Sequence, residues 1–463
     1  MLDATQGIQT RPLEEGRAAI DELVGEVAEA LERGDPAAAA ELVRALHAAD
    51  QADLIQLLRP EDRAALIAAI GDRLNPEVLS YLDETVRAEA IEQLGPVRAG
   101  AAVAQLDVDD AVGVLSGLDA DEQLALLRAL PELEREAVER GLAYPEDSAA
   151  RLMQRAVVAI PEYWTVGQMI DFLRASPSLP DDFYDLFLVD PRYRPVGSIP
   201  LSRVLRSRRE VALRELRVAD LHPIPLTLDR EEVGFVFRQY GLVSAPVVGP
   251  DPEGRLLGVI TVDDVVEVIH EEAEEDALRL GGVTELDVFD PPVRTSLRRF
   301  PWLLINLGTA VIASLVIAHF EGAIDQIVAL AVLMPIVASM GGNAGTQTVT
   351  VVVRALAVRE ITPANALRIL GKEAVVGGLN GLAFLLLGFL LAVIWFGDLT
   401  LGVLFGLAIL ATLVGATLAG VAIPLLFVRL GLDPAVTSGV CLTTVTDVVG
   451  FFTFLGLAAW YLT

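Results

Sequence analysis

Asp447 stands near the middle of LDPAVTSGVCLTTVTDVVGFFTFL, residues 432–455, a run long and apolar enough to cross a bilayer. An ionised aspartate at that depth costs about 2.5 to 3.5 kcal/mol on insertion scales, so it faces a bundle interior or a watered path rather than lipid. Thr443, Thr444 and Thr446 surround it with hydroxyl oxygens, and the run contains no Lys or Arg. A carboxylate among oxygens suits a hard divalent cation such as Mg2+, which prefers oxygen ligands and keeps part of its water shell. The competing reading of Asp447 is a protonated or hydrogen-bonded tie between helices.

A second polar set lies in MPIVASMGGNAGTQT, residues 334–348, inside another apolar run. A glycine-rich polar interruption of a spanning helix frees backbone carbonyls, which is tolerated only where they are buried or line water. The sequence predicts such an interruption here, with Asn343, Thr346 and Gln347 adding neutral oxygens that face Asp447. Glycines that serve only helix packing are the alternative.

Five runs have spanning length: 302–320, 327–353, 374–395, 399–428 and 435–461. Arg294, Arg298 and Arg299 precede the first, Arg354, Arg359, Arg368 and Lys372 separate the second and third, and Arg429 follows the fourth. The alternate loops carry no Lys or Arg, so the positive-inside rule predicts a cytoplasmic N-terminus and an outward C-terminus. Glycines along the third and fourth runs permit close helix packing, and Pro424 is placed to kink the fourth.

Charge divides the chain. Residues 1–290 hold 57 acids against 27 bases, a net of −30, whereas the remainder is nearly neutral. An acidic soluble part thus precedes a membrane part. Such an excess argues against nucleic acid and against anionic lipid surfaces as partners of the soluble part, and it suits divalent cations or simply keeps the surface soluble. The single cysteine, Cys441, excludes an internal disulfide and a multi-cysteine zinc site. The N-terminus lacks an apolar leader core, so the soluble part is expected in the cytoplasm of a cell whose cytoplasmic membrane holds the spans.

A tail and helix occupy 1–35, and residues 36–147 repeat short apolar helices broken at Pro60, Asn75-Pro76, Gly95-Pro96 and Asp119. That punctuation predicts an all-α superhelical domain of stacked helix pairs. Asp107, Asp109 and Asp110 cluster at one break, where helix capping competes with metal binding as their reason. Between 148 and 262 a strand, turn, strand, helix unit occurs twice, through 184–199 and again through 244–270. The unit resembles the CBS module, an α/β fold found in tandem pairs that often bind adenosine nucleotides. In the second copy Thr261 and Asp264 match the Thr-x-x-Asp pattern for the ribose and phosphate side. Pro200 and Arg203 stand there in the first copy, so at most one ATP-type ligand is expected, at the second. Residues 263–290 form a connecting helix, with Glu271, Glu272, Glu274, Glu275 and Asp276 as a negative patch ended by Gly281-Gly282. A bound cation would relieve its repulsion; a solvated linker helix is the plainer account.

The order of these parts, together with PIVASMGGNAGTQT at 335–348 and LDPA…TDVVG at 432–450, resembles the MgtE family of magnesium channels over nearly the whole chain. The resemblance implies a multidomain integral membrane protein: superhelical N-domain, tandem CBS domains, a plug helix and a five-helix transmembrane domain, 291–463. It further implies a homodimer with the pore between subunits and Mg2+ as the ion. Asp447 would be the pore carboxylate, with Asn343 and Thr443 beside it. Glu271, Glu272, Glu274, Glu275 and Asp276 would act at the plug, faced by Asp433. Asp107, Asp109, Asp110, Asp263 and Asp264 would bind cytosolic Mg2+ between domains and close the pore. Some members have Asn where Gly439 and Thr346 stand, and a further Asp near Gly113 and Val114. No nucleophile and base pair is evident in the spans, so no enzyme is expected. A coupled Mg2+ or Co2+ transporter and a membrane-anchored CBS nucleotide sensor remain alternatives.

Overall fold

The computed structural model describes residues 13–176, 179–180, 183–250, 254–283 and 292–462. The expected N-terminal tail before Leu13 and the end of the connecting segment, 284–290, lie outside the described residues. The chain divides into two compact units, Met1–His270 and Glu271–Thr463.

Among the described residues the first unit begins with nine α-helices: α1 (Leu13–Glu32), α2 (Pro36–Val43), α3 (Ala48–Leu57), α4 (Pro60–Ile70), α5 (Val78–Tyr81), α6 (Glu84–Val103), α7 (Val108–Ser116), α8 (Ala120–Ala129) and α9 (Glu132–Leu142). Their starts follow the punctuation of the sequence. Asp35 caps α2 by accepting from Ala38 N–H, Pro60 opens α4, and Asp119 with Glu122 forms a capping box on α8. Inside α6, Gly95 adopts φ 74° and ψ 159°, a left-sided conformation that breaks the helix just before Pro96. Val27, Leu54, Leu66, Leu79, Val86 and Leu115 are buried where successive helices stack.

Two sheets of identical plan follow. In the first, β1 (Ala159–Pro161) runs parallel to β2 (Asp185–Val189), which pairs antiparallel with β3 (Pro195–Pro200); helix α10 (Val166–Ala175) connects β1 to β2, and α11 (Leu201–Leu205) and α12 (Leu213–Leu216) follow β3. In the second, β4 (Ile224–Pro225), helix α13 (Arg230–Tyr240), β5 (Ser244–Val248) and β6 (Leu256–Thr261) repeat the order and the strand directions. Even the register irregularity recurs, at Leu188/Val189 and at Val247/Val248. The expected strands of each repeat are present, and each sheet gains a short parallel strand ahead of them.

Helix α14 (Val262–Leu280) leaves β6 directly and contributes to both units. The membrane unit then comprises α15 (Pro292–His319), the short α16 (Glu321–Gln326), α17 (Ala329–Ala357), α18 (Ala366–Phe396), α19 (Leu399–Leu430) and α20 (Pro434–Leu462). All but α16 are long and apolar enough to cross a membrane. Helix α19 is the most enclosed and packs against α17, α18 and α20, while α15 keeps most of its apolar surface outside the chain's own core. Glycines set the approach of these helices. A Cβ on Gly402 or Gly406 of α19 would come within 2.7 Å of α18, and one on Gly420 within 2.8 Å of Thr348 on α17.

The expected interruption of the second span is absent: α17 is helical throughout Ala329–Ala357. Its glycines serve contact instead. A Cβ on Gly341 would lie 2.6 Å from Thr412 Cγ2 of α19, and one on Gly345 would lie 2.9 Å from Leu442 of α20. In a bilayer an opened turn would leave carbonyls without partners, so close packing of an intact helix is the better use of small residues.

Candidate functional site

Along α20, Thr443 and Asp447 fall one turn apart on the same face. Asp447 is half-buried and has no hydrogen-bond or ion-pair partner among the described residues, whereas Thr446 beside it is buried. The threonine hydroxyls donate to their own helix: Thr443 to Gly439 O at 3.0 Å, Thr444 to Val440 O at 2.9 Å and Thr446 to Thr443 O at 3.0 Å. Their oxygens keep lone pairs for a ligand.

A cavity of about 230 Å³ opens at this face, lined by Arg279 at the end of α14, Asn306 of α15, Thr346 and Thr350 of α17, and Gly439 and Thr443 of α20. A volume of that size has room for several ordered waters. Asn343 precedes Thr346 by one helical turn on the exposed side of α17, away from the buried Gly341, Gly345 and Thr348. Gly439 and Thr346 thus line the same cavity from two helices.

At its mouth, Arg279 bridges two of the expected plug residues. Its guanidinium pairs with Glu275 one turn back and, through Nη1, donates to Asp433 Oδ2 at 2.5 Å. The other Asp433 oxygen accepts Ala435 N–H at 2.7 Å and so caps α20. Burial, and then the neighbouring Asp433 carboxylate, push Asp276 above the usual carboxylate range, with Arg279 opposing.

Within the first unit a second acidic group gathers where α7 faces the start of α14. Asp107 precedes α7 and makes no side-chain cap bond among the described residues, while Asp109 and Asp110 lie in the helix's first turn. Asp109 Oδ1 is sealed from solvent with no hydrogen-bond partner among the described residues. Burial raises Asp109 well above the ordinary range, reinforced by Asp264 and Asp110. Burial likewise raises Asp110 to about 6, helped by Asp107 and Glu77. Asp264 is raised to about 7, mainly by burial, although the Thr261 hydroxyl donates to it at 2.8 Å. Gln154 also donates to Asp264, at 3.0 Å. Among the described residues no three carboxylates or imidazoles gather closely enough to chelate an ion. Mg2+ keeps several of its waters and is commonly bound through only one or two carboxylates.

Arg279, Gln154, Asn306 and Thr350 were not singled out by sequence reasoning. Arg279 had a signal, being the one Lys or Arg in the acidic stretch 263–280. Gln154 had none.

A soluble acidic part with paired CBS folds, joined to five spans that carry an unpaired carboxylate, defines a membrane protein of the divalent-cation transporter class. Residues 334–457 match the divalent cation transporter family model named MgtE, 46–147 match the MgtE intracellular N domain, and 213–271 match the CBS domain. The magnesium transporter MgtE of Thermus thermophilus is 34% identical over 326 residues, 69% of this chain and 71% of that one. That of Bacillus subtilis is 30% identical over 320 residues, covering 69% and 70%. A crystal structure of the cytosolic domain of the Mg2+ channel MgtE in complex with ATP is also similar, at 29% identity and a TM-score of 0.48, covering 53% of this chain and 99% of that one. The chain belongs to the MgtE family of magnesium transporters.

Proposed function

We propose that the chain is a Mg2+-selective channel of the cytoplasmic membrane, gated by cytosolic Mg2+. The observation that supports this reading is Asp447: a carboxylate inside a span with no partner among the described residues, one helical turn beyond Thr443, which lines a polar cavity. A hydrated ion passing there meets hydroxyl and amide oxygens from Thr443 and Asn343, and the Asp447 charge compensates for the loss of bulk water. Because these groups lie on an exposed side of the chain's own bundle, a second copy is needed to enclose the path, and a homodimer supplies it.

Gating follows from the acids outside the membrane. Asp107, Asp109 and Asp110 stand against Asp263 and Asp264, and Glu271, Glu272, Glu274, Glu275 and Asp276 line the plug helix with Asp433 beyond it. Cytosolic Mg2+ bridges such pairs and favours the closed arrangement; without it, like charges separate. An ion shifts this balance only by its differential affinity for the closed state, so several weak sites together give a steep response. Thr261 and Asp264 hold the ribose side of one ATP in the second CBS copy.

The test is Mg2+ flux into proteoliposomes with no proton or sodium gradient, for the wild type and Asp447→Asn, at low and high Mg2+ on the side of the soluble part. Flux that requires Asp447 and falls at high Mg2+ is expected. Flux only with an imposed gradient would make the chain a coupled transporter, and ATP binding without flux would make it a nucleotide sensor.

A further inference from the structure

Arg279 is held more firmly than a surface arginine. It reaches Glu275 on its own helix and Asp433 at the head of α20, 154 positions away, and the three side chains are only 29%, 33% and 34% exposed. Its Nε is buried with no hydrogen-bond partner among the described residues, and the two carboxylates hold the guanidinium. Both acids belong to the set on which cytosolic Mg2+ would act, yet here a side chain provides the positive charge between them. Arginine is charged at every physiological pH, and its planar fork spans two carboxylates in fixed geometry.

We propose that Arg279 is a tethered counter-cation of the gate: it occupies, between Glu275 and Asp433, the place a Mg2+ ion would otherwise have to fill. The end of the plug helix is thereby held to the head of the fifth span without any divalent ion, and Mg2+ is left to act on the other acids. This rests on the Mg2+-gated reading above and adds to it a positioning residue that sets the concentration at which closure occurs. With Arg279 removed, the two carboxylates lose the cation between them, and their repulsion weakens the contact until Mg2+ arrives.

The experiment compares wild type, Arg279→Gln, Arg279→Lys and the double variant Arg279→Gln/Asp433→Asn, titrating Mg2+ on the soluble side during proteoliposome flux. Arg279→Gln should raise the half-closing Mg2+ by about fivefold, the low end of site couplings, as fits groups that are partly exposed. Arg279→Lys, which keeps the charge, should shift it less. The double variant should return towards wild type, since asparagine removes the charge while preserving the α20 cap. A merely structural role would leave the double variant no better than Arg279→Gln, and that result, or an unchanged or lowered midpoint in Arg279→Gln, would overturn the proposal. Cleavage of full-length protein by a glutamate-specific protease in EDTA separates this from the gating reading. The plug glutamates should be cut about fivefold faster in Arg279→Gln than in wild type if the contact holds without Mg2+. Equal rates would sink the counter-cation even where gating stands, and wild-type flux insensitive to Mg2+ would sink the gating reading whatever the protease shows.

Discussion

The side-chain amide of Gln154 donates to the Asp264 carboxylate at 3.0 Å across 110 residues of chain, and the Thr261 hydroxyl donates to the same oxygen at 2.8 Å. Asp264 is thus the meeting point of two proposed uses, the ribose of a nucleotide and the charge that faces Asp109. Thr261 serves only the first. Replacing Asp264 with Ala should therefore weaken both ATP binding and Mg2+-dependent closure. Thr261→Val should weaken ATP binding by about fivefold, the worth of one hydrogen bond near 1 kcal/mol, and leave the closing midpoint in place. Calorimetric ATP titration beside the flux assay checks the split; equal effects of the two variants on closure would refute it.

The buried carboxylates predict an inverted pH dependence. Asp264 near 7, Asp110 near 6 and the raised Asp109 keep their protons in the folded chain at pH values where an unfolded chain has lost them. The folded state then binds more protons, so stability is greatest at or below the ordinary carboxylate range and falls as pH rises from there through about 7. Thermal unfolding of the soluble part in EDTA should shift to lower temperature between about pH 5 and pH 8. Added Mg2+ at the upper end should restore the lost stability, and Asp109→Asn should flatten the profile. A midpoint that climbs over this window would contradict the burial of these groups.

Two glycines of the membrane unit should respond oppositely to alanine. At Gly341 the added Cβ lies 2.6 Å from Thr412 Cγ2, in a seam where Thr412 Oγ1 is itself buried with no hydrogen-bond partner among the described residues, so the Thr412 side chain or its helix must shift. Overpacking of this kind costs about 1–3 kcal/mol. At Gly439 the nearest atom would be Leu280 O at 3.5 Å, an ordinary contact, and the substitution should be tolerated. Thermal unfolding in detergent distinguishes the two.

That contrast also marks the limit of reading the sequence. Pro60, Asn75-Pro76 and Asp119 made the starts of α4, α5 and α8 legible, because capping and proline geometry are local. Strands β1 and β4, with three and two residues, are too short to carry a period and draw their pairing from β2 and β5. The glycines of α17 predict a break beside Asn343 and Gln347, yet Thr412 and Leu442, which fill the space at Gly341 and Gly345, lie on helices far along the chain. Glycine's cost in a helix, about 1 kcal/mol relative to alanine, is outweighed where a broken turn would strand its polar groups in lipid. Arg279 was visible as a lone base among acids, but nothing local named Asp433 as its partner.

Thr443 offers the most direct test of the path beside Asp447. Its hydroxyl proton is committed to Gly439 O, so what it presents to the cavity is an acceptor oxygen. Thr446, three residues on, donates in the same manner to Thr443 O but is buried at 1% exposure. Valine preserves the shape of threonine while deleting the oxygen. If a hydrated ion hydrogen-bonds to the Thr443 oxygen, Thr443→Val should cut Mg2+ flux about fivefold, the factor a bond of about 1 kcal/mol supplies, and Thr443→Ser should retain it. Thr446→Val should alter thermal stability more than flux. Were the two valine variants to lower flux equally, the loss would belong to the helix, and the path would have to run along another face of α20.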